Sequence, residues 1–160
     1  MMTGIVLAGR TNSSFTAQIG TMKMRQEIDA MQTLGLKPMD VLVAPRILAM
    51  VVATPVLAFV GTIAGIAGGV MVGWMALDIN PALFLDRLQS NVPLDQFWVG
   101  MSKAPVFGLV IAIVGCRHGL QVGGDVESLG KRVTTSVVQA IFAVIVIDAL
   151  FAMMYLELDI

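Results

Sequence analysis

Charged residues, cysteines and histidines are scarce in this sequence, and each shortage excludes a class of protein. Of 160 residues, only 13% are charged and 57% are hydrophobic, whereas soluble domains are about one quarter charged. The single cysteine, Cys116, excludes an internal disulfide, and the single histidine, His118, has no second ligand of its kind for a metal site. We therefore predict a membrane protein without a bound metal, with His118 at a membrane interface.

The sequence also lacks a working nucleotide-binding loop. The stretch GGDVESLGKR, 123–132, imitates G-x-x-x-x-G-K-[ST], whose glycine amides cradle phosphate. Asp125 stands at the first glycine position, where it would repel phosphate, and Arg132 replaces the hydroxyl residue that reaches Mg²⁺. Ser13 and Ser14 have no evident base to activate them, and no run of like charge indicates a nucleic-acid partner. We therefore predict that the chain is not itself an enzyme.

Long hydrophobic segments dominate what is present, and they predict three transmembrane helices at 47–77, 97–116 and 133–156. The first contains no charged residue and exceeds the ~20 residues that cross a bilayer, so we expect a tilt or a bend at Pro55. The apolar stretch before Arg10 is half a span, so 1–22 is predicted to end a preceding membrane helix. The predicted fold class is all-α: one polytopic membrane domain over 1–160, incomplete at its N-terminus.

Positive charges are concentrated in alternate connections between these spans. Lys and Arg residues lie in 23–46 and 117–132, whereas 78–96 has one Arg against three Asp, and the C-terminal tail has neither Lys nor Arg. Positively charged connections stay in the cytoplasm, and three spans must alternate sides. Both rules predict that 23–46 and 117–132 are cytoplasmic, and that 78–96 and the C-terminus lie outside.

Two charged residues, Lys103 and Asp148, lie within predicted spans. An unpaired charge there costs roughly 2.5–3.5 kcal/mol or more. The predicted topology puts both toward the outer ends of their helices, so one hypothesis is that they pair or jointly line a polar cavity. The alternative is that Lys103 extends to the outer interface while Asp148 bonds a neighbouring helix.

A row of glycines follows one face of the first span. Its members recur every four residues, with Ala49 and Ala53 extending the row: Gly61, Gly65, Gly69 and Gly73. In lipid, small residues allow helix backbones to approach closely. The row therefore predicts helix packing, either within one subunit or along a seam between two subunits.

The segment 23–36 is too polar to span the membrane and predicts a short amphipathic cytoplasmic helix. One face carries Met24, Ile28, Met31 and Gly35 at helical spacing, with Gly35 as a C′ residue and Pro38 preventing continuation. Helices that rest on anionic lipid favour Lys and Arg, and this one is partly acidic. We therefore favour docking on a cytosolic protein over resting on the membrane.

The sequence blocks around this helix resemble the MlaE/YrbE permease family, the membrane subunits of MCE-type ATP-binding-cassette lipid transporters. The matching blocks are LAGRTNSSFTAQIGTMKMRQEIDAMQTLGLKP (7–38), VAPRILAM (43–50), KAPVFGLVIA (103–112), GKRVTTSVV (130–138) and DALF (148–151). The resemblance implies a homodimeric permease in the bacterial inner membrane, with a cytosolic ATPase that holds the ATP and Mg²⁺, a periplasmic MCE-domain ring, and a lipid substrate, usually phospholipid.

The same resemblance implies residue roles. The ATPase-coupling candidates are Arg25, Glu27, Ile28, Asp29, Ala30, Met31, Leu34 and Gly35, and the intramembrane polar or cavity candidates are Arg10, Lys103 and Asp148. This chain would bind no cofactor of its own. Two other functions stay open on the residues: a secondary transporter with a Lys103–Asp148 ion relay, or a non-transporting membrane scaffold.

Overall fold

Helices make up almost all of the structure, a computed structural model that describes residues 1–77, 80–91 and 94–157. The elements are α1 (Met2–Met24), α2 (Glu27–Thr33), a π-helical turn (Met39–Val43), α3 (Ala44–Leu77), α4 (Pro81–Asn91), α5 (Leu94–Leu120) and α6 (Val126–Glu157). Three helical stretches are long and apolar enough to cross a membrane: Met39–Met75, Phe97–Leu120 and Val126–Glu157. The all-α membrane fold predicted from the sequence is confirmed.

The membrane helices extend beyond the predicted spans 47–77, 97–116 and 133–156. The predicted limits were drawn where charged residues begin, but Arg46 lies inside α3 and Arg117 inside α5. Charged side chains at a membrane surface do not interrupt the backbone hydrogen bonds of a helix, because those bonds are internal to it. The hydrophobic run therefore marks the membrane-buried part of each helix, not the whole helix.

Helix α1 runs alongside α5 and α6 for most of its length. It buries small or polar residues at every fourth position: Gly4, Ala8, Asn12, Thr16 and Gly20. A Cβ built on Gly119 of α5 would lie 2.7 Å from the Cβ of Ile19, so the two backbones are in close contact. The sequence interpretation of 1–22 rested on its apolar residues alone, whereas the polar residues further along face neighbouring helices.

The two segments predicted to be cytoplasmic lie at the same end of the helical bundle. Lys23 Nζ donates a hydrogen bond to the Leu120 carbonyl at 2.5 Å, and Gly20 lies against Val122. At the opposite end, Ser102 on α5 and Tyr155 on α6 share a hydrogen bond of 2.6 Å. This arrangement agrees with the alternation of sides; which end faces the cytoplasm stays a prediction. Parts of the predicted outer segments, 78–79, 92–93 and 158–160, lie outside the described residues.

Candidate functional site

The segment 23–36 is divided in the structure, contrary to the single helix predicted. Met24 completes α1, and α2 begins only at Glu27. Between them Gln26 has φ +60°, in the left-handed region, which turns the chain out of the direction of α1. Arg25 lies 3.9 Å from Glu27 across this turn. The break separates a helix packed in the bundle from a short helix at the end of the bundle.

Helix α2 ends as its sequence predicts. Gly35 has φ +79°, and its N–H donates to the Gln32 carbonyl at 3.0 Å, while Leu36 N–H donates to the Met31 carbonyl at 3.0 Å. These two bonds form a Schellman motif with Gly35 at C′. The predicted C′ position of Gly35 is confirmed, and it fixes the direction in which the chain leaves α2.

Ile28 anchors α2 to the rest of the chain. Its side chain is 4% exposed and belongs to an apolar cluster with Ile19 of α1, Val43 of the π-helical turn and Cys116 of α5. Ile28 was predicted among the ATPase-coupling residues, and its burial places its side chain against the bundle and away from the exposed surface of α2. Because it is apolar and sits between flanking acidic residues, it packs inward and holds the helix in place.

The outer surface of α2 carries most of the other predicted contact residues. Those with exposed side chains or backbone are Arg25, Asp29, Ala30, Leu34 and Gly35, whereas Glu27 and Met31 are half-buried. Leu34 is 78% exposed. Three further exposed apolar residues follow and were missed: Leu36, Met39 and Val41. We use the name outer face of the coupling segment, 27–43, for five of its exposed residues: Asp29, Leu34, Leu36, Met39 and Val41.

Lys103 and Asp148 form an ion pair within the membrane-spanning helices. Lys103 Nζ donates to Asp148 Oδ1 at 2.7 Å, and the two side chains are 19% and 20% exposed. The pairing hypothesis is therefore confirmed over the alternative of separate partners. A charged group that is paired at this distance avoids most of the cost of standing alone in lipid.

A cavity of about 490 Å³ opens beside this pair, among α1, α3, α4 and α5. Lys103 lies in its wall together with mainly apolar side chains, including Phe59, Ile66 and Phe107. Thr3, which also lines the cavity, lies with its Oγ1 3.1 Å from a Cβ built on Gly61. The described lining therefore combines the Lys103 ammonium with mainly apolar side chains.

Arg10 and the glycines of the row are not among the described residues that line this cavity. Arg10 is exposed on α1, on the side of the helix away from its buried positions, so it does not join Lys103 and Asp148. In the glycine row, Phe84 of α4 lies 3.3 Å from a Cβ built on Gly69, whereas a Cβ built on Gly65 meets no described atom within 4 Å. The row therefore packs partly within this chain and leaves Gly65 open.

A buried cluster of polar groups that was not predicted from the sequence joins helices within the bundle. Thr16 Oγ1 lies 2.9 Å from Ser136 Oγ and 3.1 Å from the Gly115 carbonyl, joining three helices. The fully buried amide of Asn12 has no hydrogen-bond partner within the part of the chain that is described. The four-residue spacing of small and polar residues along α1 was the available signal.

Two sequence features have structural roles in the same region. His118, in the last turn of α5, is 5% exposed, and its Nε2 lies 2.7 Å from Gln139 Oε1. Asp125, in the imitation of a nucleotide loop, accepts a hydrogen bond from Ser128 N–H through its Oδ2 at 2.9 Å. Asp125 is thus the N-cap of α6.

Comparison with known proteins gives the family. The family model described as Permease MlaE matches residues 1–154. A probable ABC transporter permease protein of Synechocystis sp. is 36% identical over 146 residues, which are 91% of this chain and 56% of that protein. One from Rickettsia prowazekii is 32% identical over 158 residues, 98% of this chain and 61% of that protein. The chain thus spans little more than half the length of these relatives. It belongs to the MlaE permease family.

Proposed function

We propose that the chain is part of the permease subunit of an ATP-driven lipid transporter in the bacterial inner membrane. The observation that carries the proposal is the two-sided construction of α2. Ile28 is buried toward the bundle, while Asp29 and Leu34 are exposed. A short helix that is fixed from within, exposed on its outer side and followed by the exposed apolar Leu34 and Leu36 is suited to receive force from a docked protein.

The cytosolic partner would be an ABC ATPase, in keeping with the names of the relatives. ATP and Mg²⁺ would be held by that partner, since Asp125 in this chain caps a helix. The outer face of the coupling segment combines Asp29 with four exposed apolar residues, so the partner should present an apolar groove with a basic rim.

The lipid would enter the cavity beside Lys103. A volume of about 490 Å³ is within the usual range of small-molecule sites, roughly 300–1,000 Å³. Its mainly apolar walls suit acyl chains, and the Lys103 ammonium, which has two N–H donors besides the one bonded to Asp148, suits the phosphate of a headgroup. These properties favour phospholipid over a polar solute.

Two further partners complete the proposal. A periplasmic MCE-domain protein would meet the end of the bundle that carries α4. A second copy of the chain would cover the exposed apolar length of α3, where Val60, Ile63 and Val72 are each more than half exposed. An ion relay through Lys103 and Asp148, or a scaffold without transport, would need neither a lipid in the cavity nor an ATPase on α2.

Copurification of the intact protein with its ATPase tests the proposal. Asp29→Lys should weaken the complex, because it reverses an exposed charge on α2. Asp86→Lys is the matched control, because Asp86 is exposed on α4 at the opposite end of the bundle. Failure of the unmodified protein to bind an ABC ATPase, or equal effects of the two reversals, would contradict the proposal.

A further inference from the structure

Arg46 lies where the coupling segment continues into the membrane. It is the third residue of α3, which follows the π-helical turn Met39–Val43 without interruption. The π-helical turn and the base of α3 are therefore one continuous helical stretch, which residues 34–38 connect to α2. Val43, three residues before Arg46, belongs to the same apolar cluster as Ile28, so α2 packs together with the helical stretch that carries Arg46.

The Arg46 side chain reaches across to α1 and makes two contacts there. Its Nη2 donates to Gln18 Oε1 at 3.1 Å, and its guanidinium carbon lies 5.4 Å from the centre of the Phe15 ring. Gln18 Nε2 in turn approaches Ser14 Oγ at 3.4 Å, which orients the Gln18 oxygen toward Arg46. Two α1 residues, Gln18 and Phe15, thus hold the guanidinium through its edge and its face.

This contact matters because α3 has little other contact with α1. Helix α3 packs chiefly on α5, and its interface with α1 is small. Next to Arg46, Ile47 packs against the buried cluster that contains Cys116 of α5. The contact of Arg46 with Gln18 and Phe15 is therefore a main link between α3 and α1 at the base of the bundle.

We propose that Arg46 is a positioning residue that transmits movement of the coupling segment from α3 to α1. The inference rests on the proposed function, because it assigns a path for force from the ATPase to the membrane helices. Arginine is required because its planar group can stack on Phe15 and donate to Gln18 at the same time, which a lysine ammonium does not do. This contact, which we call the tie between α3 and α1, makes the two helices move together.

The test measures lipid transported per ATP hydrolysed by the intact complex. Arg46→Met and Arg46→Lys should each still copurify with the ATPase but lower this ratio about tenfold, the factor for loss of one charge-assisted hydrogen bond. Gln18→Leu should do the same, and Gln18→Glu, which keeps the acceptor, should stay within about threefold of the unmodified protein. Arg117→Met is the control, because Arg117 is exposed at the same end of the bundle.

Two results would overturn the assignment. A normal ratio in Arg46→Lys would mean that positive charge at the membrane surface is sufficient. Independent effects of Arg46→Met and Gln18→Leu that multiply in the double variant would mean that the two residues do not act as one contact.

A second measurement does not depend on the ATPase. Spin labels at the exposed positions of Val6 and Val52 report the distance between α1 and α3, and Cys116, which is 1% exposed, is left in place so that the cluster around Ile28 is unchanged. Arg46→Met should broaden this distance distribution and Arg117→Met should not; an unchanged distribution in Arg46→Met would refute the tie. If the unmodified protein binds no ATPase while the distances respond as expected, the proposed function fails and the structural role of Arg46 stands.

Discussion

The Lys103–Asp148 pair gives a prediction with a magnitude that follows from the structure. At 2.7 Å and an effective dielectric constant of about 20, the attraction is about 6 kcal/mol before desolvation is subtracted. Removing one partner leaves the other charge alone among apolar helices, which costs roughly 2.5–3.5 kcal/mol. We therefore expect Lys103→Met and Asp148→Met each to destabilise the protein by about 3 kcal/mol.

The double variant separates stability from function. Replacing both charges removes the desolvation cost together with the attraction, so Lys103→Met with Asp148→Met should be far more stable than either single variant. Unfolding in detergent micelles measures this, and exchange of the charges (Lys103→Asp with Asp148→Lys) should recover most of the lost stability. Additive losses in the double variant, or no recovery in the exchange, would refute the pairing. Transport should stay low in the double variant, because the cavity has lost its cation.

Three other variants test the packing of the coupling segment and the bundle. Ile28→Ala empties a buried position and should cost about 2–5 kcal/mol and weaken ATPase copurification although the outer face is unchanged; normal copurification would contradict its anchoring role. Gly35→Ala places a side chain at φ +79° and should destabilise α2 by about 1–2 kcal/mol, seen as the same weakening; an unchanged complex would contradict it. Gly119→Ala should lower the unfolding temperature because its Cβ would lie 2.7 Å from Ile19 Cβ, whereas Gly65→Ala, which has open space, should not; equal effects would refute the packing.

The membrane character of the chain and the Lys103–Asp148 pair could be predicted because each avoids a large free-energy cost that a few neighbouring residues determine. Exposing a long uncharged hydrophobic run to water is unfavourable, and so is leaving a charge within such a run unpaired in the membrane. Gly35 was predictable for a similar reason, since a helix followed by Gly and then Pro ends in few ways. These features are decided by a few neighbouring residues.

The direction of Ile28 and the contacts of Arg46 could not be predicted in the same way. Periodicity places Ile28 on one face of a helix, but it does not say whether that face meets the bundle or a partner. From the sequence, Arg46 could be interpreted only as one of the positive charges that predict a cytoplasmic connection. Its contacts with Phe15 and Gln18 depend on how α1 and α3 are arranged in space. The roles of Asn12 and Thr16 could not be predicted from the apolar stretch before Arg10, because they depend on the packing of α1 against other helices.

Site-specific photo-crosslinking tests the central claim that the buried side of α2 is held by the helical bundle and its exposed side binds an ATPase. A photoreactive amino acid would replace Leu34, which is 78% exposed, or Ile28, which is 4% exposed, in the intact transporter. We predict that the probe at Leu34 crosslinks to the cytosolic ATPase and that the probe at Ile28 crosslinks within its own chain. A probe at Leu34 that reaches only lipid, or an ATPase crosslink from Ile28 and none from Leu34, would contradict the account.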